Sequence, residues 1–178
     1  MDSPLCARAN QTQFPDTDLV WLKKMYITHV EELGGYDELA SRSEFDFLDR
    51  SSDPALDELT GVAAALCGAD FAYIGWMDKN RLWFKSRHGF QAPEQIRTQS
   101  ACHWMLEDNA PMLIRDAGKD SRFPPRGIEI EEGKRCLSYA GVPLVNAALE
   151  VVGTLAVLSE APDQFSEQHL HLLDILGR

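Results

Sequence analysis

The chain has 178 residues, of which 44% are hydrophobic and 25% are charged, and its formal net charge is -11. This length suits one domain with some additional sequence, and it can bury a sizeable core without disulfides or metal ions as cross-links. The acidic balance argues against a nucleic-acid partner and against an anionic membrane surface, because both recognise clustered lysines and arginines.

Neither a membrane span nor an export signal is visible in the sequence. No apolar run approaches the roughly 20 residues that span a bilayer, and the N-terminus lacks the basic start and apolar stretch of a signal peptide. The four cysteines are far apart, with no Cys-x-x-Cys pair: Cys6, Cys67, Cys102 and Cys136. We therefore expect reduced thiols in a cytoplasmic protein rather than a disulfide framework.

The first 43 residues are predicted to lie outside the main domain. Residues 1–17 are polar and contain two prolines, so they are predicted to be a disordered tail. Residues 18–43 are predicted to be a helical extension, because apolar residues recur there at steps of three and four: Leu19, Leu22, Tyr26, Val30 and Leu33. Such a helix packs on the domain or pairs with its copy in a dimer.

Residues 44–178 are predicted to form one domain, whose first clear element is a helix. Asp53 is suited to cap this helix and Pro54 to occupy its first position, while Gly68 ends it. The buried stripe is predicted from apolar residues at helical spacing: Leu56, Leu59, Ala63, Leu66 and Cys67.

Two strands follow, at residues 71–77 and 81–88, joined by a tight turn at residues 78–80. Successive side chains of a strand point to opposite faces. One face of the first strand mixes an aromatic hydroxyl, a glycine and a thioether, which suits a cavity: Phe71, Tyr73, Gly75 and Met77. The other face is uniformly apolar and suits helices packed against the sheet: Ala72, Ile74 and Trp76.

The remaining elements give an α+β pattern of short, mostly antiparallel strands with helices on one face. In chain order we predict a loop at 89–97, a helix at 98–108 capped near Thr98 or Ser100, a strand at 111–115, a polar crossover loop at 124–135, strands at 138–145 and 149–158 with a turn near Asn146 and Ala147, and a helix at 167–176. The apolar pattern of this last helix continues to the end of the chain, so we expect the sequence to be cut from a longer protein.

Together these elements and their markers resemble a GAF domain. No single marker is specific, but their order and spacing are typical of the family: LDELT at 56–60, CGA at 67–69, MD at 77–78, WFKS at 83–86, PMLIRD at 111–116, DSRF at 120–123, YAGVPL at 139–144 and GTLAVL at 153–158. The resemblance implies a central antiparallel sheet of 5–6 strands. Helices would cover one face, and a ligand cavity would lie on the other face under the crossover.

The resemblance also implies a regulatory role. GAF domains mostly act as small-molecule-sensing and dimerising input modules, for example ahead of histidine kinases of two-component systems or diguanylate cyclases. We therefore expect a homodimer formed through the N-terminal and terminal helices. An output signalling domain would follow Arg178. A small-molecule ligand is expected without any required cofactor. Residues 124–135, which would determine its identity, follow no family pattern.

The predicted ligand pocket combines the mixed face of the first strand with residues around the crossover: Tyr73, Gly75, Met77, His103, Asp116, Arg122, Phe123, Tyr139 and Gly141. Asp116 and Arg122 also have a structural interpretation. A turn of the pattern Asp-x-x-x-Asp-x-Arg-Phe can fix its own loop through an arginine–carboxylate pair, with Phe123 filling the edge of the sheet.

Two alternatives depend on cysteine. The pair Cys102 and His103 resembles the attachment dipeptide of bilin-binding GAF photoreceptors, although it precedes the strand at 111–115 instead of following the crossover. Cys136 lies near the expected place, but no histidine follows it. A GAF-type free methionine sulfoxide reductase would need a low-pKa thiolate and a resolving thiol. Cys102 and Cys136 flank the crossover and are the candidates for that pair.

Other ligand classes have weaker support. The signature of cyclic-nucleotide-binding GAF domains is missing. His169 and His171 are two residues apart on a helix and cannot chelate one metal together, and only His103 could serve as an axial haem ligand. A dimerisation spacer without ligand remains open, and it would be favoured if side chains such as Trp104 and Met105 filled the cavity.

Overall fold

The computed structural model of the protein describes residues 53–77, 80–108, 110–145 and 151–177. The predicted tail, the helical extension and Cys6 lie outside these residues, as does the predicted turn at Asn146 and Ala147. Among the residues that are described, no helix is long and apolar enough to cross a membrane. In chain order the elements are α1 (Pro54–Cys67), β1 (Phe71–Met77), β2 (Arg81–His88), β3 (Glu94–Ile96), a 3₁₀ turn (Arg97–Gln99), α2 (Ala101–Glu107), β4 (Met112–Ile114), β5 (Ile128–Glu131), β6 (Lys134–Cys136), β7 (Ser138–Val145), β8 (Val151–Ser159) and α3 (Glu167–Gly177).

The two central helices begin at the predicted caps. The Asp53 carboxylate accepts a hydrogen bond from the Ala55 N–H at 2.9 Å, and Pro54 opens α1. Ser100 Oγ accepts a hydrogen bond from the His103 N–H at 3.2 Å. Each side-chain oxygen thereby satisfies one backbone donor that lacks a partner within its helix.

Within the described ranges, six strands form one antiparallel sheet in the order β3-β2-β1-β8-β7-β4, which confirms the predicted α+β fold. The alternation along β1 divides the core as expected. Ala72 and Ile74 pack with α1 and α3, in a cluster that includes Ala63, Leu170 and Leu173. On the opposite face the mixed residues of β1 pack with α2, β4 and the crossover.

The crossover is more ordered than the sequence analysis predicted. Instead of a loop, residues 128–136 form a two-stranded antiparallel hairpin, β5–β6. Ile128, Ile130 and Cys136 are buried on the mixed face of the sheet, while Glu129 points to solvent. This alternation of two is the pattern of a half-buried strand, but the charged residues of the segment hid it.

Three smaller predictions were also wrong. Part of the predicted loop at 89–97 is the edge strand β3, which pairs with β2. The predicted helix at 98–108 begins with a separate 3₁₀ turn, and α2 proper starts only after Ser100. On α1, Leu66 is 56% exposed and does not belong to the buried stripe, whose inner positions include Thr60 and Ala64 instead.

Gly89 and Gly133 provide a matched test of how closely the backbone after β2 approaches the backbone before β1. Both have positive φ, +85° and +82°, but a Cβ at Gly89 would collide with the Asp70 carbonyl oxygen, whereas a Cβ at Gly133 would meet nothing within 4 Å. Gly133→Ala should cost only the left-handed backbone strain, about 1 kcal/mol. Gly89→Ala adds the collision and should cost about 3 kcal/mol in total. Urea unfolding of both variants measures the difference, and equal losses would contradict the close approach.

Candidate functional site

A buried thiol–hydroxyl cluster lies at the centre of the mixed face of the sheet, formed by Tyr73, Cys102, Tyr139 and Thr154. Cys102 Sγ from α2 lies 2.9 Å from Tyr73 Oη, 3.4 Å from Tyr139 Oη and 3.2 Å from Thr154 Oγ1. All four residues are buried. Because polar groups out of contact with water need partners, these contacts place α2 at one position over β1, β7 and β8.

The same burial keeps the cluster neutral. It raises the pKa of Tyr73 and of Tyr139 well above the usual value for tyrosine, and the neighbouring Cys102 raises both further. Burial also raises the pKa of Cys102, although hydrogen bonds from Thr154, Tyr139 and Tyr73 offset part of this effect. The cluster therefore consists of a thiol and hydroxyls rather than a thiolate or phenolates.

The space directly over Tyr73 and Tyr139 is filled by side chains. Met105 of α2 is fully buried, and its sulfur accepts a hydrogen bond from Tyr139 Oη at 3.7 Å. Phe84 packs edge-on against Tyr73, with ring centroids 4.9 Å apart. Trp104 packs at the margin of the same cluster. The face predicted to line a cavity is therefore closely packed at its centre, and at this place the packing of Met105 and Trp104 is the arrangement expected of the ligand-free spacer.

The two predicted site glycines provide room for neighbouring side chains. A Cβ at Gly141 would collide with the hydroxyl of Tyr139, so the absence of a side chain there lets that ring lie along β7. A Cβ at Gly75 would lie 2.7 Å from Leu82 Cδ1. Gly75 also sits at the register shift between β1 and β2. Met77 is buried on the same face, and ligand contact by any of these residues stays a prediction.

His103 lies apart from the thiol–hydroxyl cluster although it follows Cys102 directly. Its Nε2 is 3.4 Å from a carboxylate oxygen of Glu107, and its Nδ1 is 3.4 Å from Nε of Arg97. The imidazole also packs against the Trp104 indole, with ring centroids 5.2 Å apart. Within the residues that the structure covers, no group of three or more His, Cys, Asp and Glu residues could hold a metal ion.

The turn that contains Asp116 and Arg122 is held by two adjacent ion pairs. Asp116 pairs with Lys119 at 2.7 Å and also accepts the Gly118 N–H. Arg122 holds Asp120 through Nε and Nη2, the latter at 2.7 Å. The side-chain hydrogen bonds from Lys119 and Arg122 lower the pKa of Asp116 and Asp120, respectively. The predicted arginine–carboxylate pair therefore exists, with Asp120 as its acid.

Beside this turn lies an open cleft of about 340 Å³. It runs between the 3₁₀ turn that precedes α2 and the crossover. Arg122 and Phe123 are the two predicted site residues that border it. The full lining is Thr98, Gln99, Arg122, Phe123, Pro124, Arg126, Gly127, Ile128, Glu129 and Arg135. This volume falls within the range of small-molecule pockets in proteins, although at its lower end.

The hairpin β5–β6 is fastened over the sheet by a latch, which consists of Glu131 and Lys134 bound to residues 89–92. The Glu131 carboxylate accepts the N–H groups of Gln91 and Ala92, the latter at 2.8 Å. Lys134 Nζ donates to the Gly89 carbonyl at 2.9 Å and lies 3.2 Å from the Glu131 carboxylate. The two backbone N–H groups lower the pKa of Glu131.

The described cysteines are buried free thiols. Burial raises the pKa of Cys67 to about 11 and raises that of Cys136 even further. A reductase needs a nucleophilic thiolate, which an electropositive and partly exposed setting favours. Cys102 and Cys136 have the opposite setting. Covalent attachment of a chromophore would likewise require a thiol that faces open space, and both of these thiols are packed in the core.

Seven of the nine predicted site residues thus lie at two places, and the other two lie at neither. Tyr73, Tyr139, Gly75, Gly141 and Met77 belong to the packed face of the sheet, whereas Arg122 and Phe123 border the cleft. His103 and Asp116 are held by neighbours of their own.

Sequence reasoning missed Arg126 and Arg135, which also line the cleft. The run Pro124-Pro125-Arg126-Gly127 contains a turn signal that could have identified the first of them.

Comparison with known proteins agrees with this architecture. The GAF domain family matches residues 52–178. A cyclic di-GMP phosphodiesterase from Pseudomonas aeruginosa is 24% identical over 136 residues, which are 76% of this chain but only 23% of that protein. The chain therefore spans about a quarter of the length of this curated relative.

Solved structures show the same fold. The GAF domain of a phosphoenolpyruvate-protein phosphotransferase from Acinetobacter superposes with a TM-score of 0.58 at 18% identity, covering 92% of this chain and 89% of that one. A type II free methionine-R-sulfoxide reductase from Thermoplasma acidophilum superposes with a TM-score of 0.55 at 15% identity, covering 70% and 87%. The chain belongs to the GAF domain family and is a regulatory signalling domain.

Tyr73 and Tyr139 are expected to ionise only when the domain unfolds. Because their pKa values in the folded state lie above the unfolded value of about 10, their contribution to stability is fully present below that pH and is lost as the pH rises. An alkaline titration that follows phenolate absorbance together with circular dichroism measures this. Tyr73→Phe and Tyr139→Phe should each remove one phenolate from the component that appears with unfolding. Ionisation of both tyrosines near pH 10 in a still folded domain would contradict the closed cluster.

Glu131→Gln should loosen the latch. The pKa of Glu131 is lowered, so the contribution of its carboxylate to stability is present above the unfolded pKa and is lost as the pH falls through the folded pKa. At neutral pH the amide groups of Gln91 and Ala92 should exchange with solvent faster in this variant, as hydrogen–deuterium exchange would show. Glu132→Gln is the matched control at the neighbouring exposed glutamate. Equal protection in the two variants would mean that the carboxylate does not hold the hairpin.

Proposed function

We propose that this domain is the input module of a larger signalling protein, binds a small molecule beneath the crossover, and forms a homodimer. The observation that carries the proposal is the cleft beside the latched hairpin. Its walls come from the crossover and from the entrance to α2, and α2 also contacts β7 of the central sheet. A ligand in this cleft would contact both the crossover and the 3₁₀ turn that leads into α2.

The cleft connects to the core through two of its residues. Phe123 borders the cleft and is also part of the buried cluster on the mixed face of the sheet. Arg122, next to it, reaches the sulfur of Met112 on β4, with Nη1 3.9 Å from Sδ. A ligand that displaced either side chain would disturb the packing around β4 and β7, and α3 packs on both of these strands. This supplies a physical route to whatever follows α3.

For the output we propose a module that acts on a cyclic dinucleotide or phosphorylates a partner, following Arg178. The first possibility is supported by the relative from Pseudomonas aeruginosa, of which the matched region is a minor part. The second corresponds to the histidine kinase of a two-component system. In either case we propose a cytoplasmic location for the domain, because the proposed outputs act there.

The proposed dimer surface is the exposed side of α1 and α3. Val62 and Leu66 lie four residues apart on α1 and are 40% and 56% exposed, and Ile175 on α3 is also exposed. Residues four apart share one face of a helix, so the first two form an apolar stripe. The predicted helical extension at residues 18–43 would add to this surface.

Native mass spectrometry of the protein purified from its own host tests the proposed function, since it reports both the oligomer and a retained ligand. We expect a dimer that carries a small molecule. Leu66→Glu should shift the population towards monomer, because it places a charge in the apolar stripe. Ile96→Glu is the matched control, because Ile96 is equally exposed but lies on the edge strand β3. A ligand-free dimer would favour the spacer alternative, and a monomer without ligand would contradict both.

A further inference from the structure

The cleft is basic although the chain as a whole is strongly acidic. The formal net charge of the protein is -11, yet three arginines and one glutamate line this single cleft. Arg122 and Arg135 are both paired, with Asp120 and Glu129 respectively. Within the described part of the chain, Arg126 makes no ion pair and no neighbour neutralises its guanidinium charge.

Arg126 is held in place by its backbone. The Gly127 N–H donates to the Pro124 carbonyl at 2.8 Å, which closes a four-residue turn with Pro125 and Arg126 at its centre. Proline presets the backbone angle at the second position of such a turn. Gly127 has a φ of +85°, and a Cβ there would collide with the Cys136 carbonyl oxygen, so the turn is packed directly on β6. The turn therefore presents Arg126 from a fixed position at the cleft.

Arg135 can provide a second guanidinium to a ligand with little loss of stability. The pair between Arg135 and Glu129 joins atoms 3.1 Å apart, and both side chains are more than 40% exposed. Exposed pairs of this kind contribute little to stability. An incoming anion could therefore share Arg135 with Glu129 or replace it. By contrast, Arg122 is held by Asp120 through two of its nitrogens and leaves mainly Nη1 for other contacts.

We infer that the cleft binds its ligand through an oxyanion group, a carboxylate or a phosphate, with Arg126 as the main contact and Arg135 as the second. The inference rests on the proposed sensing function and names the chemistry of that site. Guanidinium groups bind such oxyanions through paired, charge-assisted hydrogen bonds. Phe123 and Ile128 provide an apolar wall for the rest of the molecule. A volume of about 340 Å³ corresponds to about ten waters, so it admits more than a bare anion.

The surrounding charge limits which anions fit. A chain with a net charge of -11 repels an extended polyanion, whereas the cleft offers local attraction over a few ångströms. The ligand class is therefore a small organic acid or phosphate ester rather than a nucleic acid.

Titration with inorganic phosphate and, separately, with succinate tests the inference, using calorimetry and the amide resonances of Gly127 and Ile128 at low ionic strength. We expect at least one of the two probes to shift these resonances, and the tighter probe identifies phosphate or carboxylate as the recognised group. Added potassium chloride should weaken binding, because it screens the arginines.

Three variants define the contact. Arg126→Gln should weaken binding of the active probe about tenfold, the value of one lost charge-assisted contact. Arg87→Gln, which alters an exposed arginine of β2 outside the cleft lining, should leave it unchanged. Glu129→Gln should strengthen binding about threefold, because it releases Arg135 and removes the one acidic side chain of the lining. Partial unfolding of a variant would weaken binding, not strengthen it. A higher affinity of Glu129→Gln therefore shows a direct effect on the cleft.

The inference is overturned if neither probe shifts the two resonances, if Arg126→Gln and Arg87→Gln bind alike, or if Glu129→Gln binds no more tightly. These outcomes are separate from the fate of the proposed sensing function. A neutral molecule retained in native mass spectrometry, with no response to either anion, would end the oxyanion proposal and leave the sensing role intact.

Discussion

The hydrogen-bonding requirement of a few polar groups buried against the sheet organises this domain. Three hydroxyls from three strands, those of Tyr73, Tyr139 and Thr154, converge where no water reaches them. Cys102 gives all of them a common partner. Removing one partner of a buried group costs more than the bond itself contributes. The cluster therefore fixes α2 over the sheet, and the entrance to α2 in turn forms one wall of the cleft.

The opposite face of the sheet has no comparable cluster of buried polar side chains among the described residues. Ala72 and Ile74 meet the apolar stripes of α1 and α3, and apolar packing tolerates small changes of helix position better than a hydrogen-bonded cluster does. The domain thus has a buried hydrogen-bonded cluster on one face and mainly apolar packing on the other. A small rearrangement under the crossover would change hydrogen bonds of the thiol–hydroxyl cluster. On the opposite face, α1 and α3 could shift slightly against the sheet without breaking hydrogen bonds of this kind.

Much of this architecture could be predicted from the sequence, and the failures have physical causes. Asp53, Pro54 and Ser100 identify helix starts because capping depends on a few local atoms. The two faces of β1 follow from a period of two. The hairpin β5–β6 was missed because β5 alternates isoleucine with glutamate and β6 contains two basic residues, so mean polarity concealed the period of two. The cleft was only partly predicted, since its arginines come together through the tertiary path of the crossover rather than through spacing in the chain. The position of Leu66 was wrong because helical spacing alone does not decide which side of a stripe meets the sheet.

The two outer strands of the sheet are its shortest. β3 and β4 have three residues each, and among the residues that the structure describes each is bonded to a neighbouring strand on one side only. An exposed strand edge is a template on which another chain can be added, and very short edge strands limit that risk. Each edge strand offers few unpaired backbone groups. Pairing of this edge with a strand of another copy would therefore form few hydrogen bonds. Copies of this domain that meet in a crowded cell are thereby guided away from open-ended stacking and towards contacts made by side chains.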